Sequence, residues 1–383
     1  MQIKFERNQG AWILGLIALF IFSIMLWQKQ PDLYDHVLLS KRLIEGDLHY
    51  ANFLYYLIVA AFAFFQSNLI ILQVSALCIL SASVIAKYLL AYQYLFGKNL
   101  LSHGYLKETY SKSIALLSLG LCLAINFPVN FSATWYLGQF SPNLWHNSTT
   151  IFLMPFALLL YFEALQYLRY LNVKSLWMMS IWVLIGALIK PSFLFAFIPA
   201  FLILLVKEFK LSPLFFKGLI PLAFSLLGIA WVGIYNFITN TYNEGGGVRI
   251  APFKVWSNWS ENISLSILAS LAFPLAVLIF NMSKLKVRTD YLFAWILMIP
   301  ALLVYIFFAE QGANWIVVAS NFSWQLIVCN FILFMASLKI CLEMDDEKRL
   351  WGRSIRSFLL YLFAAHVLFG ILYLIKIPIF GYR

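Results

Sequence analysis

The chain has 383 residues, of which 63% are apolar and only 11% charged. Water-soluble domains run about 45–50% apolar and about 25% charged, so these proportions exclude a soluble globule and define an integral membrane protein. A net charge of +11 raises nucleic acid as a partner, and the placement of the basic residues decides against it.

Apolar runs long enough to cross a hydrocarbon core about 30 Å thick, at about 1.5 Å per helical residue, recur along the whole chain. They predict an all-α, polytopic membrane protein of one domain, residues 1–383, with eleven spans at 11–28, 67–96, 113–127, 148–168, 175–189, 192–206, 216–238, 262–282, 290–308, 322–341 and 357–376. The first run, Ala11 to Trp27, lacks a small-residue cleavage site and is read as a span, not a signal peptide. With the N-terminus cytoplasmic, 18 Lys and Arg fall in inner loops, 8 in outer loops, and Lys87 inside a span. That positive-inside bias orients the chain and accounts for the basic surplus without nucleic acid.

The first outer loop, 29–66, carries Asp32, Asp35, His36, Lys41, Arg42, Glu45, Asp47 and His49. In so apolar a chain, ionisable groups crowded at the mouth of the first helix are a candidate reaction site. Asp32 and His36 are four residues apart and share a face on a helical turn; Asp35 is the competing acid. Ser40 to Gly46 reads as a short helix stopped by its glycine. The following Phe53–Phe65 is apolar but only about 13 residues long, so it is expected at the outer interface and not across the bilayer.

The second outer loop, 128–147, is rich in Trp, Asn, Gln and His. Gln139, Asn143 and His146 are candidate sugar or acceptor contacts; the plainer alternative is an aromatic belt at the membrane interface. At Lys190-Pro191 two short spans meet without a polar loop. This lysine either snorkels to the headgroups or contacts an anion. In the loop 239–261, Gly246 and Gly247 can turn backbone N–H groups toward a phosphate and Arg249 can add a bidentate contact; a flexible turn explains the glycines equally well. The last outer loop contributes Glu310 and Asn321. The sequons at Asn147 and Asn258 would be open to glycosylation on that face in a eukaryote, whereas short loops and compact length point to a bacterial inner membrane.

Other polar features read as structural. Cys78, Cys122, Cys329 and Cys341 all lie in apolar runs and read as small buried hydrophobes. His366 reads as a packing histidine inside the last span, and Glu343 to Glu347 as a solvated cytoplasmic face. No Walker loop, dinucleotide fingerprint, His/Cys metal spacing or nucleophile elbow is found. Membrane carboxylates can bind a divalent cation, but no tight acidic cluster at ligand spacing demands one. An outward-facing site has no access to cytoplasmic nucleotide sugars, so an activated donor would arrive on a lipid.

Four features together resemble the GT-C superfamily of membrane glycosyltransferases, particularly its polyprenol-phosphate-mannose-dependent branch. They are the acidic first outer loop with Asp32 ahead of Ser40-Lys41-Arg42 and Gly46, the aromatic segment Phe53-Leu54-Tyr55-Tyr56, Gly138-Gln139 with Asn143 before the fourth span, and Lys190-Pro191 at a hairpin of short spans. Where that branch has a Tyr-Pro-Pro-like element, this chain has Ala51-Asn52-Phe53-Leu54-Tyr55. The resemblance implies an inverting transferase moving a sugar, mannose in that branch, from a polyprenyl-phosphate donor to a lipid or glycan acceptor. In that scheme Asp32 or Asp35 is the general base, with His36 beside it, and Arg249 or Lys190 steadies the departing phosphate. The rival from another class is a transporter or flippase for lipid-linked sugars, which requires ionisable groups at mid-membrane and paired repeats.

Overall fold

The computed structural model describes residues 2–47, 50–97, 107–129, 138–239, 247–311, 316–317, 321–344 and 350–380. The helices are α1 (Gln2–Trp27), α2 (Pro31–Glu45), α3 (Leu54–Phe62), α4 (Leu69–Phe96), α5 (Lys107–Leu123), α6 (Ser148–Tyr170), α7 (Val173–Ile189), α8 (Ser192–Phe209), α9 (Pro213–Ile238), α10 (Lys254–Trp259), α11 (Ile263–Phe280), α12 (Lys284–Val287), α13 (Thr289–Phe307), α14 (Trp324–Leu342) and α15 (Leu350–Phe380). Among the described residues, nine are long and apolar enough to cross a membrane. The expected third and fifth spans fall on the shorter apolar helices Ser111–Leu123 and Val173–Ile189.

The boundaries follow local chemistry. Pro31 opens α2, where the absent N–H costs nothing, and the Gln30 side chain caps the turn by accepting from Leu33 N at 2.7 Å. At the other end Gly46 takes the left-handed conformation (φ 83°), so α2 ends where expected but begins at Pro31 and not at Ser40. α5 stops at Leu123, short of the expected 127, because Ile125 N turns to bond His366 O at 3.1 Å and Phe127 N bonds Ala269 O at 3.3 Å. His366 is buried and its Nδ1 meets Ile125 O at 2.6 Å, so it knits α15 to the end of α5. α3 has nine residues and is too short to cross.

An all-α expectation misses one element. β1 (Gly247–Ile250), β2 (Phe308–Gln311) and β3 (Ile316–Val317) form an antiparallel sheet in the order β1-β2-β3. Its strands are too short to give a period-2 pattern that stands out from the apolar runs beside them.

α14 is the axis of the bundle. Its span is 94% buried, against 33% for α9 and α15, whose exposed Leu227, Trp231, Phe237, Tyr361 and Phe380 lie on the outside. A helix apolar on all sides is one surrounded by others, and α14 packs against α13, α8, α11, α6 and α4. Three cysteines are buried as expected, but Cys78 is exposed on the outer surface of α4.

Between α5 and α6 the segment Gly138–Asn147 runs without helix yet stays buried throughout. Non-helical backbone inside a bundle needs internal partners, and side chains of four helices supply them. Trp256 Nε1 donates to Gly138 O at 2.7 Å, Asn330 Nδ2 to Phe140 O at 2.7 Å, and Phe140 N donates to Ser270 Oγ at 3.2 Å. Lys87 Nζ, buried within α4, donates to Asn143 Oδ1 at 2.6 Å. Gly138 has φ 72°, and a Cβ there would lie 2.4 Å from Trp259 O. The segment is therefore an internal plug, not the exposed loop or aromatic belt expected from its composition; Trp145 is 2% exposed and packs on Phe22.

Candidate active site

The start of α6 is the foundation of the site. Asn147 caps the helix, and its Oδ1 receives Thr150 N (3.1 Å), Thr150 Oγ1 (2.7 Å) and Thr149 Oγ1 (3.1 Å). A fourth donor comes from elsewhere. Because Pro191 disfavours the helical conformation in the residue before it, Lys190 leaves α7 in extended conformation (φ −167°, ψ 110°), while its N–H still closes the helix on Gly186 O at 2.8 Å. Its Nζ then reaches Asn147 Oδ1 at 3.0 Å and Thr149 Oγ1 at 3.3 Å. The same Nζ sits 4.4 Å from the centre of the Trp324 ring.

Asp32, in the first turn of α2, approaches from the other side, its Oδ2 3.7 Å from His146 Nε2. The Asn147 side chain lies near enough to Asp32 to favour its charged form. Burial raises the pKa of Asp32 above the ordinary value of 3.8, and the Lys190 charge and the Asn147 side chain only partly offset that. A carboxylate so destabilised is a stronger base than a solvated one. Burial, with the nearby Lys190 charge, lowers both His146 and His36 to about 3. Both imidazoles are therefore neutral near pH 7, and the Asp32–His146 contact is not an ion pair. Burial also lowers Lys190, to about 7, against the attraction of Asp32 and Glu310.

Glu310 extends the cluster. Both its oxygens accept from Asn321 Nδ2 at 2.9 Å, and Asn321 Oδ1 accepts from Trp324 Nε1 at 3.1 Å. A continuous chain of contacts thus runs from Asp32 through Asn147 and Lys190 to Trp324, Asn321 and Glu310. These groups come from segments that the charge pattern assigns to a single side of the membrane. Among the described residues no three His, Cys, Asp or Glu side chains gather closely enough to hold a metal ion.

Other expected site residues lie elsewhere or have other tasks. Asp35 is exposed, and its charge acts on Asp32 only as the smallest of the causes that shift that carboxyl. His36 turns from Asp32 to Tyr56, with Nδ1 2.9 Å from the phenol oxygen and the rings stacked at 5.7 Å. Gln139 is spent on the plug: its Oε1 accepts from Asn126 Nδ2 and Val129 N, and its Nε2 donates to Phe127 O. Asn143 is likewise spent, with both amide hydrogens on Leu121 O (2.7 Å) and Ala124 O (2.8 Å). Arg249 and Gly247 lie on the exposed strand β1, and the register sets Arg249 opposite Ala309, on the reverse face of the sheet from Glu310. Gly246 lies outside the described residues. Asn147 is the group that a sequence reading undervalues, taking it for a loop amide or a sequon; at 5% exposure it is closed to glycosylation. Its position directly before Ser148-Thr149-Thr150 and an apolar run is the legible signal of a cap.

No protein family, curated protein or solved structure matches this chain. The fold and the site define a class on their own terms: an integral membrane protein built as a helical bundle, with a carboxylate–amide–lysine cluster at one end.

Proposed function

We propose that the protein is an inverting glycosyltransferase that moves a sugar from a polyprenyl-phosphate donor to a lipid or glycan acceptor at the outer face of a bacterial inner membrane. The observation that carries this reading is the junction of Asp32 and Lys190 through Asn147. A partly buried carboxylate and a lysine amine, both beside one amide, match the two ends of the displacement. Asp32 takes the proton of the acceptor hydroxyl as that oxygen bonds to the anomeric carbon. The bond from that carbon to the phosphate oxygen breaks, and the polyprenyl phosphate departs with its electron pair toward Lys190 and the N-terminus of α6. The leaving group carries its own negative charge and needs little acid catalysis, which suits two neutral imidazoles. Lys190 adjoins an apolar crevice between α6, α7 and α8, lined by Leu153, Phe156, Trp182 and Phe193 and too narrow to hold a water molecule. Lys190 takes precedence over Arg249 as the phosphate contact because it is Lys190 that shares partners with Asp32.

The test is transfer from a radiolabelled polyprenyl-phosphate sugar by purified protein supplied with a lipid extract as acceptor. Asp32→Asn should lower transfer by about 10²–10⁴-fold, the usual contribution of a general base, while Asp35→Asn keeps most of it. Full activity in Asp32→Asn removes the base. A second reading, a transporter of lipid-linked sugars, is favoured by Lys87, a buried ionisable group inside a span. Movement of an intact lipid-linked sugar across proteoliposomes, without transfer, would select it.

A further inference from the structure

At the opposite end of the bundle a second polar cluster is built around Asp290, which is 1% exposed. Arg288 grips it with Nε and Nη2 at 3.0 and 2.8 Å, Arg169 Nη2 lies at 2.9 Å, and Tyr94 donates to Oδ2 at 2.9 Å. Four donors saturate this carboxylate. Arg288 spends its remaining face on Glu343, so it too is fully committed.

Two cations are not. Arg169 reaches Asp290 through Nη2, and 34% of its side chain is exposed. Lys339, in the last turn of α14, holds its Nζ 4.2 Å from the centre of the Tyr94 ring, and no carboxylate lies within ion-pair distance of it among the described residues. Among the described residues the cluster therefore sets three cations, Arg169, Arg288 and Lys339, against the two carboxylates Asp290 and Glu343. Partly buried charge at a membrane boundary finds a counter-ion, and among the described residues no third carboxylate pairs with this cluster. Directly beside Arg169, Tyr170 (70% exposed), Leu171 and Val173 present an apolar edge. Lys174 stands at the same end of the helix pair, at the start of α7.

We propose that Arg169 and Lys339 form a binding site for the phosphate headgroup of an anionic phospholipid, with the acyl chains lying along the exposed apolar edge at Tyr170 and Leu171. This site is separate from the Asp32–Lys190 cluster and does not depend on the reaction proposed there. The phosphate oxygens accept charge-assisted hydrogen bonds from the Arg169 guanidinium and from the Lys339 ammonium. The +1 surplus of the cluster is thereby neutralised.

The experiment compares purified protein in nanodiscs of phosphatidylcholine alone and of phosphatidylcholine with phosphatidylglycerol, for wild type and the double variant Arg169→Gln/Lys339→Gln. Melting temperature and the phosphatidylglycerol retained on native mass spectrometry are the readouts. Wild type should melt roughly 3 °C or more higher with phosphatidylglycerol, and the double variant should lose that increment and retain on the order of tenfold less of the lipid. The melting point of the double variant in phosphatidylcholine reports its own folding, and Lys174→Gln, which alters a charge outside the cluster, should keep the increment. An equal melting point for wild type in both lipids would overturn the proposal. So would an increment that survives in the double variant, or one that inorganic phosphate reproduces in phosphatidylcholine discs.

Discussion

Lys190 has exchanged part of its hydration for Asn147, Thr149 and the face of Trp324, and burial holds its pKa at about 7 instead of the ordinary 10.5. Between those values the unfolded chain binds a proton that the folded chain has released. Stability therefore rises with pH across that window and is lowest, from this group, below about pH 7. Thermal melts of the wild type should gain about 5 °C between pH 7 and 10, and Lys190→Met should flatten that rise; an identical slope in both proteins would contradict the assignment. On the function proposed above, an arriving phosphate would restore the charged form and the lysine would acquire its proton with its ligand. The sequence exposes such a residue because a lone cation before a proline between two apolar runs has few structural uses. It does not expose the partner. Gln139 and Asn143 offer the same amide chemistry as Asn147, and only the path of the chain decides that two of them bind the end of α5 and the residues just after it while the third joins the lysine.

At the level of elements, the spans were readable and the plug was not. Each span is announced by an apolar run that must satisfy its own backbone inside lipid, whereas 138–147 owes its burial to Trp256, Ser270 and Asn330, residues more than a hundred positions away. Composition alone makes such a segment look like a surface loop. The positive φ of Gly138 and the carbonyl of Trp259 against it make this position intolerant of a side chain. Gly138→Ala should lower stability by about 2–4 kcal/mol through strain and displacement, visible as a lower melting temperature in detergent, and should weaken activity with it because His146 and Asn147 end the same segment. A wild-type melting curve for this variant would show that the plug is not under such constraint. The segment α3 was recognisable from its length, since nine helical residues cannot reach across a bilayer.

For the molecule as a whole, the polar contacts fall into two groups. Asp32, His146, Lys190 and Glu310 gather at one end; Arg169, Arg288, Asp290 and Glu343 at the other. Which end faces the cytoplasm is a separate matter, decided by labelling. In a cysteine-free background, Asp35→Cys should react with an impermeant maleimide added to intact cells, and Lys286→Cys only after lysis; the reverse pattern would invert the orientation proposed for the site. The burial of α14 also bears on how the protein is made. The helices it packs against most, α13, α8, α11, α6 and α4, all precede it in the chain, so most of the bundle is synthesised while its central position is still vacant. Until residue 342 emerges, lipid or a chaperone must occupy the slot, and the polar groups of the plug that await Asn330 have no partner there. Biogenesis of this protein is thus a problem of keeping a gap open for a helix that arrives after the five it packs against most.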